Sequence, residues 1–329
     1  MEPCPLASQI ETNPTLLDRP WIFKMPRANE LTVDAIILKR RSPWITAAVT
    51  LRDAKSSTTG YGTRVFARSA LRVAFAEAWE RSLLSRCASD SANAAALFSF
   101  TTTQLNHPNP RSKKVPHIKS TSSNGFAAGS TLRRAMTAAA SELFERHCLL
   151  QVWNEEAKAL PLYAMPPLWL APTRALGWHF TWFELGRGPQ TVTVACLARH
   201  PQLGARFDLA AKSTRRVALK EATVSVMKMI HHLDAAALNF SELWKKGEPL
   251  AHLAYYSKPE NLRAFDFMDQ SNARESKSYL DYDPDLIPLW VADHMPAVAQ
   301  ARWHQAKSLE WGSAALQLCP QNPHPHPLA

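Results

Sequence analysis

The chain has 329 residues, 46% hydrophobic and 20% charged, which excludes a disordered polypeptide and leaves room for one large folded domain or two small ones. Its formal net charge of +10 favours acidic partners such as nucleotides or acidic peptides, whereas the even spread of basic residues along the chain disfavours nucleic acid. Cys4, Cys87, Cys148, Cys196 and Cys319 show no Cys-x-x-Cys or Cys/His spacing, and no apolar run is long enough to cross a membrane, so the expected setting is a reducing cytoplasm without disulfides, structural zinc or membrane insertion.

Residues 1–30 contain prolines and little pattern, and read as an arm or lead-in to a domain covering 31–329. From Pro43 the segment PWITAAVTLRD alternates like a strand, and Gly60-Tyr61-Gly62 reads as a turn before a helix. That helix, SALRVAFAEAWERS, turns Leu71, Phe75, Ala78, Trp79 and Ser82 inward and carries Glu77, Glu80 and Arg81. Residues 88–121 form a Ser/Ala/Asn-rich connection with a strand at Leu97–Thr102, and the basic run Arg111–Lys119 reads as an exposed loop.

The segment from Ser122 to Trp153 joins a glycine-rich loop directly to a long helix. Asn124, Gly125 and Gly129 supply permissive backbone, while Ser123 and Ser130 supply hydroxyls, and Ser130 or Thr131 is placed to cap the helix. A helix N-terminus opening from such a loop is suited to an anion. Leu132, Ala135, Met136, Ala139, Leu143 and Leu150 mark the buried stripe, and Glu142 and Glu145 share one side of the helix beside Arg146. The Glu-x-x-Glu-Arg triplet thus occurs twice. Four carboxylates facing one cleft would repel one another unless cations neutralised them, which points to Mg2+ carrying a polyphosphate; Arg81 and Arg146 would pair the carboxylates or bind phosphate.

After a proline-rich passage at 160–173, HFTWFELG and QTVTVACLARH predict two strands joined through a turn at Gly186 to Pro189. A third helix follows, capped by Ser213 or Thr214, with Val217, Leu219, Val224, Met227 and Ile230 as its apolar positions. His231 and His232 are assigned no chemistry beyond a favourable helix C-terminus. Residues 245–285 read as a long connection or a partner-facing excursion, and the last helix is expected at Ala297 to Trp311. The tail, Pro323-His324-Pro325-His326-Pro327, has polyproline II composition.

The strings SSNGFAAGST and ELFERHCLLQVW, preceded by SALRVAFAEAWER, resemble the YcaO family of ATP-dependent proteins that modify backbone amides. The tail, CPQNPHPHPLA, is similar to the terminus of the family's azoline-forming cyclodehydratase members, the D-protein subunits of thiazole/oxazole-modified peptide synthetases of microcin type. The resemblance implies an α/β fold of YcaO type, with mixed sheets and flanking helices around a central nucleotide cleft. It implies ATP and Mg2+ as cofactors, with Glu77, Glu80, Glu142, Glu145 and Glu221 holding the metal. Ser123, Asn124, Gly129, Ser130, Arg81, Arg146 and Arg216 would contact nucleotide. The chemistry it implies is ring closure, in which a Cys, Ser or Thr side chain of a precursor peptide attacks the preceding amide, whose oxygen is phosphorylated and lost, giving a thiazoline or oxazoline.

In such members the tail, here Pro323, His324, Pro325, His326, Pro327 and Ala329, threads toward the active site, and a tail histidine or the Ala329 carboxylate would serve as base. The resemblance also implies a separate activating-enzyme-like subunit that binds the precursor peptide, and a flavin-dependent dehydrogenase. Three positions depart from the family pattern: Ser130 stands for an asparagine, Arg134 for an acid, and Val217 for an arginine that Arg216 or Arg215 would replace. Three readings follow: an active cyclodehydratase, a degenerate non-catalytic scaffold subunit of the same kind of complex, or an enzyme forming thioamide or amidine instead.

Overall fold

In the computed structural model, which describes residues 32–41, 44–52, 57–89, 97–99, 113–115, 124–154, 156–232, 240–246, 250–269, 280, 282–292, 295–303, 306 and 324–328, the alternation after Pro43 becomes the middle strand of a three-stranded antiparallel sheet. Its order is β1 (Thr32–Arg41), β2 (Trp44–Arg52) and β3 (Ser57–Arg64). Ala47, Val49 and Leu51 of β2 are buried against Ala70, Ala74, Phe75, Ala78 and Trp79 of helix α1 (Ala67–Ser89). The inward face expected of α1 is therefore the observed one.

Gly60 and Gly62 lie within β3 rather than in a turn. A Cβ on Gly60 would collide with the Ala74 carbonyl and the Ala78 amide, and one on Gly62 with the Ala70 carbonyl, so these glycines let the helix backbone rest directly on the strand. Strand β1 was not legible as a strand because a bulge between Val33 and Ala35 breaks its alternation.

A second three-stranded sheet pairs β11 (Asp285–Ala292), β12 (Met295–Arg302) and β6 (Phe126–Gly129), all antiparallel. Phe126 and Val298 join the core of the first sheet. Over Ala297–Arg302 the expected helix is thus replaced by β12, while 304–305 and 307–311 of that expectation lie outside the described residues. The strand's alanine-rich sequence is neutral between helix and strand, and two flanking strands satisfy its backbone on both edges. Between α1 and β6, β4 (Leu97–Ser99) pairs with β5 (Lys113–Val115), so the basic run expected as a loop contains a short strand. By its contacts the chain divides into two compact units, Met1–Leu143 with Asp283–Ala306 and Phe144–Tyr282 with Lys307–Ala329. Helix α2 (Leu132–Trp153) is continuous across the division. All six positions of its expected apolar stripe are buried.

The second unit is built on a four-stranded antiparallel sheet, in the order β10 (Gly204–Lys212), β9 (Val192–His200), β8 (His179–Arg187) and β7 (Leu160–Leu162). The β8–β9 pair is the hairpin expected from sequence. The short helix α3 (Ala171–Ala175) precedes β8, and α4 (Arg215–His232) packs on the sheet. The Thr214 hydroxyl accepts the Val217 N–H at 3.4 Å, which is the cap expected. The phase of α4 differs from expectation: Ala218, Ala222 and Val226 face the sheet with Met227, whereas Val217 is exposed and Leu219, Val224 and Ile230 are half-buried. Alanine at the contact lets the helix approach the sheet closely, so small residues rather than branched ones define the buried face.

Residues 245–285 are no plain connection. The segment continues from α5 (Phe240–Lys246) into α6 (Leu250–Tyr256), a 3-10 helix at Pro259–Phe265 and α7 (Asp266–Asp269). Tyr256, Phe265 and Phe267 surround the fully buried Trp153 edge-on. The tail is also no free polyproline segment, since Pro325, His326, Pro327 and Leu328 are buried. Among the described residues no helix is long and apolar enough to cross a membrane.

Candidate functional site

The first Glu-x-x-Glu-Arg triplet is held by backbone. Glu77 accepts the Tyr61 N–H at 2.7 Å through one carboxylate oxygen and pairs with Arg81 at 2.6 Å through the other, while Arg81 also donates to the Thr59 carbonyl at 2.6 Å. One turn on, Glu80 accepts the Ala128 N–H at 2.9 Å, tying α1 to β6 at the end of the glycine-rich loop. Burial raises Glu77, against the lowering effect of Arg81 and the Tyr61 bond. Glu80 is pushed well above the ordinary carboxylate range, by burial first and next by the negative charge of Glu142; the Ala128 bond and Arg81 work against this, and Glu77 adds to it.

A buried carboxylate whose ionisation is opposed by a second carboxylate nearby fits a cation. Among the described residues, no three His, Cys, Asp or Glu side chains are gathered into a metal cage. Mg2+ is commonly held by one or two carboxylates together with substrate phosphates. Glu145, one turn beyond Glu142 on α2, sends its carboxylate to the Ala211 N–H of β10 at 2.9 Å.

The loop before α2 is shaped by close approach. Gly125 has φ +67°, its carbonyl accepts the Ala301 N–H at 2.7 Å, and a Cβ there would sit 2.7 Å from the Ala301 carbonyl oxygen. Asn124 is buried beside it. A Cβ on Gly129 would collide with the Ala135 amide of α2. Thr131, rather than Ser130, caps the helix by accepting the Arg134 N–H at 3.2 Å. The Ser130 hydroxyl instead accepts from the Arg134 guanidinium at 3.0 Å. Where the resemblance expects an acid, a cation therefore lies folded over the first turn of α2, and it adds to the positive end of the helix dipole. Ser123 lies outside the described residues, and Arg146 is half-buried on α2.

On α4, Arg216, Val217 and Glu221 are exposed. The arginine that finds an acid is Arg215, which contacts the Glu184 carboxylate at 2.6 Å, and Arg187 contacts the same group at 3.1 Å. Sequence reading passed over Glu184. Its signal was a lone acid inside the aromatic run HFTWFELG, where a buried carboxylate requires cationic partners.

Polar contacts within the second unit hold the described part of the tail. The Trp153 indole N–H donates to the His324 carbonyl at 3.1 Å, the Tyr255 hydroxyl meets His324 Nδ1 at 2.7 Å, the Tyr256 hydroxyl donates to the Pro325 carbonyl, and His252 Nδ1 meets the His326 carbonyl at 2.5 Å. The rings of His252 and His326 lie 4.5 Å apart, and His326 is fully buried. Burial lowers His324 from its ordinary value and pushes His252 down to about 4. Pro323 and Ala329 lie outside the described residues.

Residues 91–289 match a family model described as YcaO cyclodehydratase, ATP- and Mg2+-binding. No curated protein matches the chain. Among solved structures it is similar to YcaO from Methanopyrus kandleri bound with AMPPCP and Mg2+, with TM-score 0.55 and 12% identity over 82% of this chain and 85% of that one. It is also similar to a heterocyclase in complex with substrate and cofactor, with TM-score 0.59 and 12% identity over 94% of this chain and 55% of that one. The chain thus spans about half the length of that heterocyclase. At such identity the two likenesses establish the fold, a mixed α/β architecture with several sheets and flanking helices.

Proposed function

Since this chain belongs to the YcaO family of ATP- and Mg2+-binding cyclodehydratases, we propose that it is the ATP-dependent subunit that closes Cys, Ser or Thr side chains of a precursor peptide onto the preceding backbone amide, forming thiazoline or oxazoline rings. The observation that carries this reading is the Glu80–Glu142 pair, whose mutual repulsion a divalent cation relieves. Glu80 and Glu142 would hold Mg2+, with Glu77, Glu145 and Glu221 assigned supporting roles through the family resemblance. ATP supplies the phosphoryl group that turns the amide oxygen into a phosphate leaving group.

The chain's own residues bind, orient and move protons. The N–H groups at the start of α2, with Asn124, Gly129 and Ser130, form an anion-binding end to which Arg134 adds positive charge. Arg81, Arg146 and Arg216 are the further phosphate contacts implied by family position. His324 suits proton acceptance from the attacking side chain better than His326, because its ring is only half-buried whereas His326 is enclosed. A separate peptide-binding subunit and a flavin-dependent dehydrogenase complete the proposed assembly.

The scaffold reading draws on Arg134, which stands at a family acid position and is engaged with Ser130. Calorimetry of Mg2+-dependent ATP binding separates the two readings. Binding by the wild type that Glu142→Ala/Glu145→Ala abolishes supports the catalytic one, and ring closure then appears as loss of one water per ring from the precursor peptide. A wild type that binds no nucleotide, alone or with its partner subunit, leaves the scaffold.

A further inference from the structure

In the first unit, among the described residues, β1 stands at the end of its sheet, and α1 covers β2 and β3 more fully than β1. The bulge at Asp34 shifts the strand by one residue, so Val33 and Ile36 come to the same face as their partners Leu51 and Val49. Beyond the bulge, Ile36, Ile37 and Leu38 are about half exposed, at 49%, 53% and 50%. Three consecutive apolar residues present both faces of the strand, where a solvated edge ordinarily carries charge.

Between this strand and the helix lies a cavity of about 170 Å3, floored by Val33, Ile36 and Val49 from the sheet and by Leu71 and Phe75 from α1. Its rim is cationic. Arg68 and Arg72, one turn apart on α1, border it and are exposed, and Lys39 is exposed further along β1. Asp34, the acid of the strand, is already paired with Arg52 at 2.9 Å.

We infer that the groove between β1 and α1 docks an extended, acidic peptide segment, which adds to the β1 edge as a further strand, places one apolar side chain in the cavity and sets an acidic side chain or C-terminal carboxylate on Arg68 and Arg72. A strand is the occupant that satisfies an edge of alternating N–H and carbonyl groups, and its period of two sends alternate side chains to the cavity face. Arginine is the cation suited to bidentate carboxylate capture. This site lies wholly within the first unit and does not rest on the ATP-dependent reading.

The test is panning of displayed random octapeptides against the full chain without nucleotide, followed by affinity measurement of the enriched peptides on wild type, Arg68→Glu/Arg72→Glu and Ile36→Asp. The expected result is enrichment of sequences alternating apolar and acidic residues, weakened about tenfold or more by either variant. The melting temperature of the double variant, both positions being exposed, should stay at the wild-type value. Absence of enrichment, enriched peptides indifferent to both variants, or a dimer through β1 that enriched peptides do not displace would each overturn the inference. None of these outcomes touches nucleotide binding, which is read separately.

Discussion

Glu80 of α1 accepts the backbone N–H of Ala128 at 2.9 Å while lying close enough to Glu142 for that residue's charge to oppose its ionisation. One side chain thus anchors the glycine-rich loop and destabilises its own charged form. On the proposed reading, an acid placed beside another acid serves a ligand rather than the stability of the empty protein.

Glu80→Gln keeps an acceptor for Ala128 and removes the repulsion, so the empty protein should gain about 1 kcal/mol while Mg2+-ATP affinity falls at least about tenfold. A pH scan adds an independent check. Because the folded value of Glu80 is raised above its ordinary 4.5, the folded state holds the proton longer, and wild-type stability should decline as pH rises from 4.5 toward that raised value. The variant should show a flatter profile in denaturant titrations, and saturating Mg2+-ATP should restore the wild type at neutral pH. A less stable variant with unchanged nucleotide affinity would mean that Glu80 is structural.

Gly60→Ala should destabilise the first unit by about 2–3 kcal/mol, because the added methyl meets the backbone of Ala74 and Ala78, which cannot swing aside like a side chain. Tyr61→Ala, at the exposed position between the two glycines, should change the denaturation midpoint far less. Equal midpoints for the two variants would show that α1 yields.

The tail contacts give a third measurement. Burial holds His252 near 4, so the unfolded chain takes up a proton first as pH falls below 6.5, and stability should drop between pH 6.5 and about 4 by at most about 3 kcal/mol. His252→Asn removes that titration and should flatten the window in pH-dependent thermal melts. Limited proteolysis of the tail should report the same transition, because the His326 carbonyl loses its partner when the second unit opens. A wild type and variant with parallel profiles would place the acid sensitivity elsewhere.

Local chemistry along the chain was sufficient to identify both triplet helices, the capped glycine-rich loop, the β8–β9 hairpin and the family resemblance of the residues 122–153. Each of these depends on spacing within one segment: a 3.6-residue period, a hydroxyl before a helix, glycines at a turn into α2. What sequence could not determine depends on what lies opposite. Ala297–Arg302 reads as the start of a helix until β6 and β11 supply partners for its backbone, and Gly60 and Gly62 read as a turn until α1 arrives against β3. The pairing of Glu184 with Arg215 and Arg187, the proximity of Glu80 to Glu142, and the burial of the tail are contacts between residues distant in sequence or separated by a turn of sheet. Propensity and period act over a few residues and are written in the chain itself; desolvation, charge pairing and close backbone approach are set by neighbours that only folding brings together.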